Sequence, residues 1–359
     1  MEKLTLGQAL FCDIFWLIAF LICLPSIKKE TTTGKYFFLW LFIALYSTFE
    51  FTGGDFYHYL AIYKNNISTT FERSHLEAFY YWLIQILPHD YYIWRFTVWG
   101  LAGFFWIQAI KNLKQNVRFA GLMFLLIVFF FFVGGRQALC FSVLYYALTI
   151  YYKEGVYKFK NAIIFLILIV CSYFLHKTAI VYILIMFISM LPLGKRTLLL
   201  SIILFPVIYK IFDSLSYLFI SEYSAFNEES ATSMESYMEG ETYTRNIFGQ
   251  IHLFINRFPI FLLLIYSIWR VFIKKDIIPK IYIILLRMIY ILIYISYLFV
   301  GRNISAYIAP RFWDASLFPL TLFAAGYMYN KRQARFFRIC FYLLLFSLLY
   351  RIAYNIYKI

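Results

Sequence analysis

The sequence predicts an all-α polytopic membrane protein of about twelve transmembrane helices, a single integral membrane domain over residues 1–359. Three observations lead there. Of the 359 residues, 63% are hydrophobic and only 14% are charged, whereas a soluble chain carries about a quarter charged residues to wet its surface. Apolar runs of near bilayer-crossing length recur from one end to the other. The basic residues fall in short clusters between those runs, which is how a chain fixes its orientation across a bilayer. No stretch is long and polar enough for a sizeable soluble catalytic domain, so Rossmann, P-loop and barrel enzymes are excluded. The net charge of +15 therefore reads as membrane topology rather than nucleic-acid binding.

The runs lie at about 7–24, 36–51, 93–110, 119–133, 137–152, 161–176, 178–192, 197–213, 258–273, 281–300, 313–329 and 337–355. The first carries Asp13 and lacks a basic leader and an A-x-A site, so it is expected to remain as a span. Basic clusters at Lys28/Lys29/Lys35, Lys111/Lys114/Arg118, Lys153/Lys158/Lys160, Lys195/Arg196, Arg270/Lys274/Lys275/Lys280 and Lys331/Arg332/Arg335/Arg338 occupy alternate loops. One assignment puts all of them in the cytoplasm and both termini outside. It also sends Asp55, Glu72, Glu77, Asp90 and the acidic residues of 222–241 outward, an independent check because acidic residues do not set orientation.

Two outer loops are long, and long loops tend to be functional. The extracytoplasmic loop at about 52–92 is rich in aromatics, and its Leu76–Leu87 stretch reads as an amphipathic segment lying on the membrane. The extracytoplasmic loop at about 214–257 has an acidic middle and then a short helix near Arg245–Phe258, a candidate lid over a site on the outer face. Cys12, Cys23, Cys140, Cys171 and Cys340 all lie in apolar runs without CxxC or Cys/His spacing, and read as packing residues.

Three spans end alike on the outer face, at Thr52-Gly53-Gly54-Asp55, Val133-Gly134-Gly135-Arg136 and Val300-Gly301-Arg302. Glycine after a helix permits a left-handed turn and close approach of backbone to a ligand. Arg136, Arg302 and Arg311, the last in Pro310-Arg311-Phe312, would supply planar, permanently charged forks suited to a phosphate or pyrophosphate, which implies a phospholipid-linked substrate. The competing reading is that interfacial arginines snorkel to bulk lipid phosphates. That reading explains less well why they follow glycines or a proline on the outer face. Asp55, His58 and His176 are the candidate proton acceptors, and Asp55 and His58 would share a face if their segment is helical. His75, His89 and His252 are read as solvated loop histidines, and no pair has metal-ligand spacing.

The runs Gly53-Gly54-Asp55-Phe56-Tyr57-His58-Tyr59, Gly135-Arg136-Gln137-Ala138-Leu139 and His176-Lys177-Thr178-Ala179-Ile180 resemble, in order and spacing, the EpsG-type branch of the bacterial Wzy-like polysaccharide polymerases. The resemblance covers most of the chain, although after about residue 200 it is one of character alone. It implies a GT-C-like glycosyltransferase in the bacterial cytoplasmic (inner) membrane, its site facing the periplasm or exterior. Such an enzyme joins oligosaccharide repeat units carried on undecaprenyl pyrophosphate into an O-antigen, capsule or exopolysaccharide. It uses no nucleotide sugar or cofactor and needs no metal, and it inverts the anomeric centre. On this resemblance Arg136 holds the pyrophosphate with Arg302 and Arg311 assisting, and Asp55 or His176 is the base, with His58 beside Asp55. Tyr57 and Tyr59 stack on sugar rings, and Gln137 and Lys177 contact substrate. The implied partners are the lipid-linked oligosaccharide, membrane lipid, a flippase and a chain-length regulator, and no nucleic acid.

Other classes remain. A flippase of lipid-linked oligosaccharide should carry charges deep in several spans or show related halves, and mid-span charges are few (Asp13, Lys210, Arg287) with no convincing repeat. An acyltransferase fits less well with a site wholly outside. An O-antigen ligase shares donor, fold and side and differs only in the acceptor.

Overall fold

A backbone in hydrocarbon must satisfy its own N–H and C=O groups, and the α-helix does so within each segment. The computed structural model describes residues 6–27, 40–41, 44–45, 47–48, 78–88, 90–128, 135–152, 158–192, 194–211, 247–299, 305–331 and 334–358, and no strand occurs among them. The helices are α1 (Leu6–Cys23), α2 (Ala78–Ile86), α3 (Tyr91–Asn112), α4 (Val117–Ile127), α5 (Gly135–Tyr151), α6 (Phe159–Leu175), α7 (Ala179–Met190), α8 (Lys195–Ile203), α9 (Ile247–Ile268), α10 (Lys280–Leu298), α11 (Ser305–Phe323) and α12 (Arg335–Lys358). Among the described residues, Phe254–Ile273 and Lys280–Leu298 are long and apolar enough to cross a membrane, and Ile14–Ser26, Val117–Ile127, Phe159–Leu175 and Ala179–Met190 are shorter apolar helices. Large aliphatic and aromatic side chains such as Leu166, Val170, Leu184 and Ile203 stay exposed along α6 to α8, as suits a helical membrane protein.

The chain forms two compact units, one of residues 1–184, 279–282 and 318–359 and one of 185–278 and 283–317. In the first, α3 and α5 run parallel: Gly135 meets Val98 and Trp99, Phe105 meets Tyr146 at 5.7 Å between centroids, and Asn112 donates to Thr149 at 3.1 Å. α6 returns antiparallel along α5, with Cys140 Sγ 3.5 Å from the Ser172 carbonyl and Tyr151 5.0 Å from Phe165. The core is aromatic. Trp106 stands edge-on to Phe318 and Tyr145, and Phe141 to Tyr182. A cavity of about 20 Å³ between Trp40, Trp106, Phe124, Ser142 and Phe318 is no larger than a water or two.

Caps set the helix boundaries. Asp90 Oδ1 accepts from the N–H groups of Tyr92 and Ile93 at 2.7 and 3.2 Å to start α3, and Asn116 Oδ1 accepts from Phe119 N at 3.0 Å to start α4. Between α3 and α4, Lys114 takes the left-handed φ of 52° that turns the chain back. At this end of α3 the Gln115 amide donates to Tyr282 Oη at 3.1 Å and to the Leu322 carbonyl at 2.7 Å. The turn Ala324–Met328 is a π-helix. Its wider winding leaves carbonyls of the preceding turn without their usual donors, and Gln115 serves Leu322 instead. Gly326 faces the Tyr282 ring with no room for a Cβ.

In the second unit α9 runs unbroken from Ile247, so the short helix expected near 245–258 is the beginning of the span itself. Pro259 lies inside it and withdraws the donor that the Ile255 carbonyl would otherwise receive. His252 is accordingly helical, not in a loop. Arg270 grips Asp276 with two nitrogens, Nη2 at 2.8 Å and Nε at 3.0 Å. Arg287, expected as a mid-span charge, donates to the carbonyls of Ser189 and Leu191 at 3.4 and 2.5 Å, and so caps the C-terminal end of α7. Cys23, Cys140 and Cys340 are buried as expected of packing residues, but Cys171 is exposed on α6.

Candidate functional site

Arg136 is the second residue of α5. The sequence expectation that Gly135 closes the preceding span in a left-handed turn is not met: Gly135 is helical and opens α5. Its missing side chain serves packing, because a Cβ there would stand 3.1 Å from Trp99 Nε1 and 3.4 Å from Val98 Cγ1. Glycine therefore lets the first turn of α5 lie flush on α3. A guanidinium at a helix N-terminus adds its charge to the positive end of the dipole and to unsatisfied N–H groups, a combination that attracts an anion.

The half-buried Arg136 is reached by α2, the segment expected to lie on the membrane. Tyr80 is fully buried, and its hydroxyl donates to the Arg136 carbonyl at 3.1 Å. The Arg136 guanidinium carbon is 5.9 Å from the centre of the Tyr80 ring. Tyr80 rests edge-on against Trp94 at 5.9 Å, Trp94 stacks on Tyr91 at 6.0 Å, and Tyr91 meets the Arg95 guanidinium at 5.9 Å. Arg95 is only 5% exposed and donates to the Ser47 carbonyl at 2.6 Å. Two arginines thus bracket a ladder of three buried rings. Neither Tyr80 nor Arg95 stood out in the sequence. The available signal was a lone charge in an otherwise uncharged stretch of span, and an aromatic on the inward face of an amphipathic segment.

His176 follows α6 in an extended conformation; its N–H donates to Ser172 O at 3.1 Å and its carbonyl accepts from Ala179 N at 2.8 Å. The Cys140–Ser172 contact fixes what lies opposite it. Arg136 is one turn before Cys140 and His176 one turn after Ser172, so the antiparallel register brings the two to the same end of the α5–α6 hairpin, with axes about 8–10 Å apart. His176 is half-buried, Lys177 beside it is exposed, and the Thr178 hydroxyl is buried without a hydrogen-bond partner. Gln137 is half-buried next to Arg136.

Arg311 belongs to the second unit, where it is exposed on α11. Near it in sequence, Trp313 is buried under the Arg257 guanidinium at 4.5 Å and packs on Phe261 at 5.2 Å. Asp55, Tyr57, His58, Tyr59 and Arg302 lie outside the described residues, as do His75, His89 and the greater part of both long loops. Among the described residues no three His, Cys, Asp or Glu side chains gather to hold a metal.

The described residues are helical, two of the helices are long and apolar enough to cross a bilayer, and this is the build of a helical membrane protein. The family profile that matches covers residues 35–359, and the chain belongs to the EpsG family, a family of Wzy-like polysaccharide polymerases. Its function is accordingly of the polysaccharide-polymerase, glycosyltransferase type. Comparison with curated proteins and with solved structures returned no match.

Proposed function

We propose that the protein joins oligosaccharide repeat units carried on undecaprenyl pyrophosphate into a surface polysaccharide, on the outer face of the bacterial cytoplasmic membrane, by GT-C-type transfer with inversion across about twelve spans. The single observation that carries this reading is the α5–α6 register, which places Arg136 and His176 at the same end of the two helices. The reaction needs both kinds of group. A hydroxyl of the incoming unit attacks the anomeric carbon at the base of the growing chain, a new glycosidic C–O bond forms, and the bond to the pyrophosphate breaks with its electron pair leaving on oxygen. Asp55 or His176 takes the hydroxyl proton, with His58 supporting Asp55. Arg136 meets the charge that builds on the departing pyrophosphate, and Arg302 and Arg311 add to the same field. Tyr57 and Tyr59 stack on sugar rings, and Gln137 and Lys177 contact the substrate headgroup. Arginines can neutralise this leaving group themselves, so the reaction does not require a metal. A flippase delivers the substrate and a chain-length regulator sets when elongation stops.

Arg136→Lys tests the reading directly. Lysine keeps the charge but cannot donate two parallel hydrogen bonds from one planar head. Losing one preorganised donor to a developing anion costs about 3 kcal/mol, on the order of a hundredfold in rate. Polymer formed from lipid-linked repeat units in membranes with matched expression should fall by that factor in Arg136→Lys, while Arg335→Lys, an exposed residue of a basic cluster, should match wild type. Near-normal polymer from Arg136→Lys would remove the pyrophosphate role. Accumulation of long lipid-linked chains in a deletion strain, instead of single units, would turn the assignment to a ligase.

A further inference from the structure

We propose that Tyr80 is a positioning residue: it fixes the depth and direction of Arg136 at the start of α5, and so couples the membrane-lying helix α2 to glycosyl transfer. The inference rests on the pyrophosphate role of Arg136. Its ground is geometric. Tyr80 and Arg136 are 56 residues apart, and the contact between them is a hydrogen bond from the Tyr80 hydroxyl to the Arg136 main chain, with the guanidinium alongside the same ring. A bond to main chain locates the residue itself, whereas a bond to the guanidinium would occupy donors that a pyrophosphate needs. Tyr80 is itself held, with 0% exposure and Trp94 against its edge, so its hydroxyl is a fixed point.

The sequence of α2 accounts for the second half of the coupling. Tyr80 and Leu83 are buried on one face, while Trp82 and Ile86, four residues apart on another, are 56% and 57% exposed. A Trp and an Ile side by side on an exposed helical face settle at the water–lipid boundary. The helix level therefore follows the membrane surface, and Tyr80 transmits that level to Arg136. The reacting pyrophosphate is bound at the same boundary by its lipid tail, so one reference plane sets both the cation and the anion.

Tyr80→Phe removes only the hydroxyl and leaves the ring in place, so the fold should hold, with thermal unfolding in detergent within a few degrees of wild type. Turnover of lipid-linked repeat units should fall about fivefold, the size expected for one neutral hydrogen bond. The decisive readout is the double variant. If Tyr80 acts through Arg136, Tyr80→Phe should have no further effect in an Arg136→Lys background, because the fork that it aims is already gone. A fivefold loss that persists in the Arg136→Lys background marks a merely structural tyrosine and overturns the inference, as does a wild-type rate for Tyr80→Phe. Failure of the pyrophosphate reading looks different: Arg136→Lys alone would then be nearly fully active.

Discussion

The two ends of α3 are built from different materials. At one end, Arg95 and Arg136 bracket the buried rings of Tyr91, Trp94 and Tyr80, and the polar contacts run to main-chain carbonyls. At the other, neutral amides and phenols join one another: Gln115 to Tyr282 and Leu322, Asn116 to Tyr329, Asn112 to Thr149. An amide network that spends its donors on internal acceptors specifies packing and leaves little to offer a ligand. Arginines braced by aromatic rings keep a full charge at a fixed place, which is what an anion site requires. The first end is suited to chemistry and the second to stability, and substitutions should separate them.

The largest effect on folding should come from Gly326→Ala. A Cβ there would overlap the Tyr282 ring, whose hydroxyl is held by Gln115, so neither partner can give way easily. Overpacking of this kind costs about 3 kcal/mol, visible as a lower midpoint for thermal unfolding in detergent. Next is Gln115→Leu, which leaves the Leu322 carbonyl and the Tyr282 hydroxyl without the amide in a buried site. About 2 kcal/mol should be lost in the same assay, with polymerising activity per folded molecule unchanged. An activity loss larger than the stability loss would break the contrast between the ends. The smallest change in stability should be that of Gly135→Ala, about 1 kcal/mol, since a Cβ would press on side-chain atoms of Trp99 and Val98 that yield by tenths of an ångström. That shift is passed to Arg136, so activity should fall by more than stability accounts for. If polymer yield follows folded protein in Gly135→Ala as it does in Gln115→Leu, the two ends do not differ in kind.

The helices were legible because hydrophobic runs in a bilayer have one outcome. The span expected at 93–110 lies within Tyr91–Asn112, that at 161–176 overlaps Phe159–Leu175, and the interfacial stretch 76–87 contains α2. What misled was local chemistry with two uses. Gly135 was read for its conformational freedom and is used for its lack of volume. In the sequence Arg287 is one of a few mid-span charges, yet it closes a helix nearly a hundred residues away, a partnership that no spacing encodes. In the site, the motifs gave Arg136 and His176 as separate points. Their meeting at one end of a hairpin depends on the α5–α6 register, which side-chain packing decides. Tyr80 was one aromatic among many in its loop. Its burial depends on which face of α2 turns inward, and a helix of nine residues is too short for its sequence to fix that face.

Arg287 also bears on how the chain is made. Helix α7 has twelve residues and rises about 18 Å, short of the roughly 30 Å hydrocarbon thickness, and its last carbonyls take a donor from another helix. The side chain that satisfies them lies 98 residues beyond Ser189 and emerges from the ribosome much later. Until α10 is made, the Ser189 and Leu191 carbonyls lack the donor that Arg287 gives them in the finished fold. Each segment is a poor guest of the bilayer alone and a good one in company. The contact that closes the end of α7 therefore waits on translation of α10.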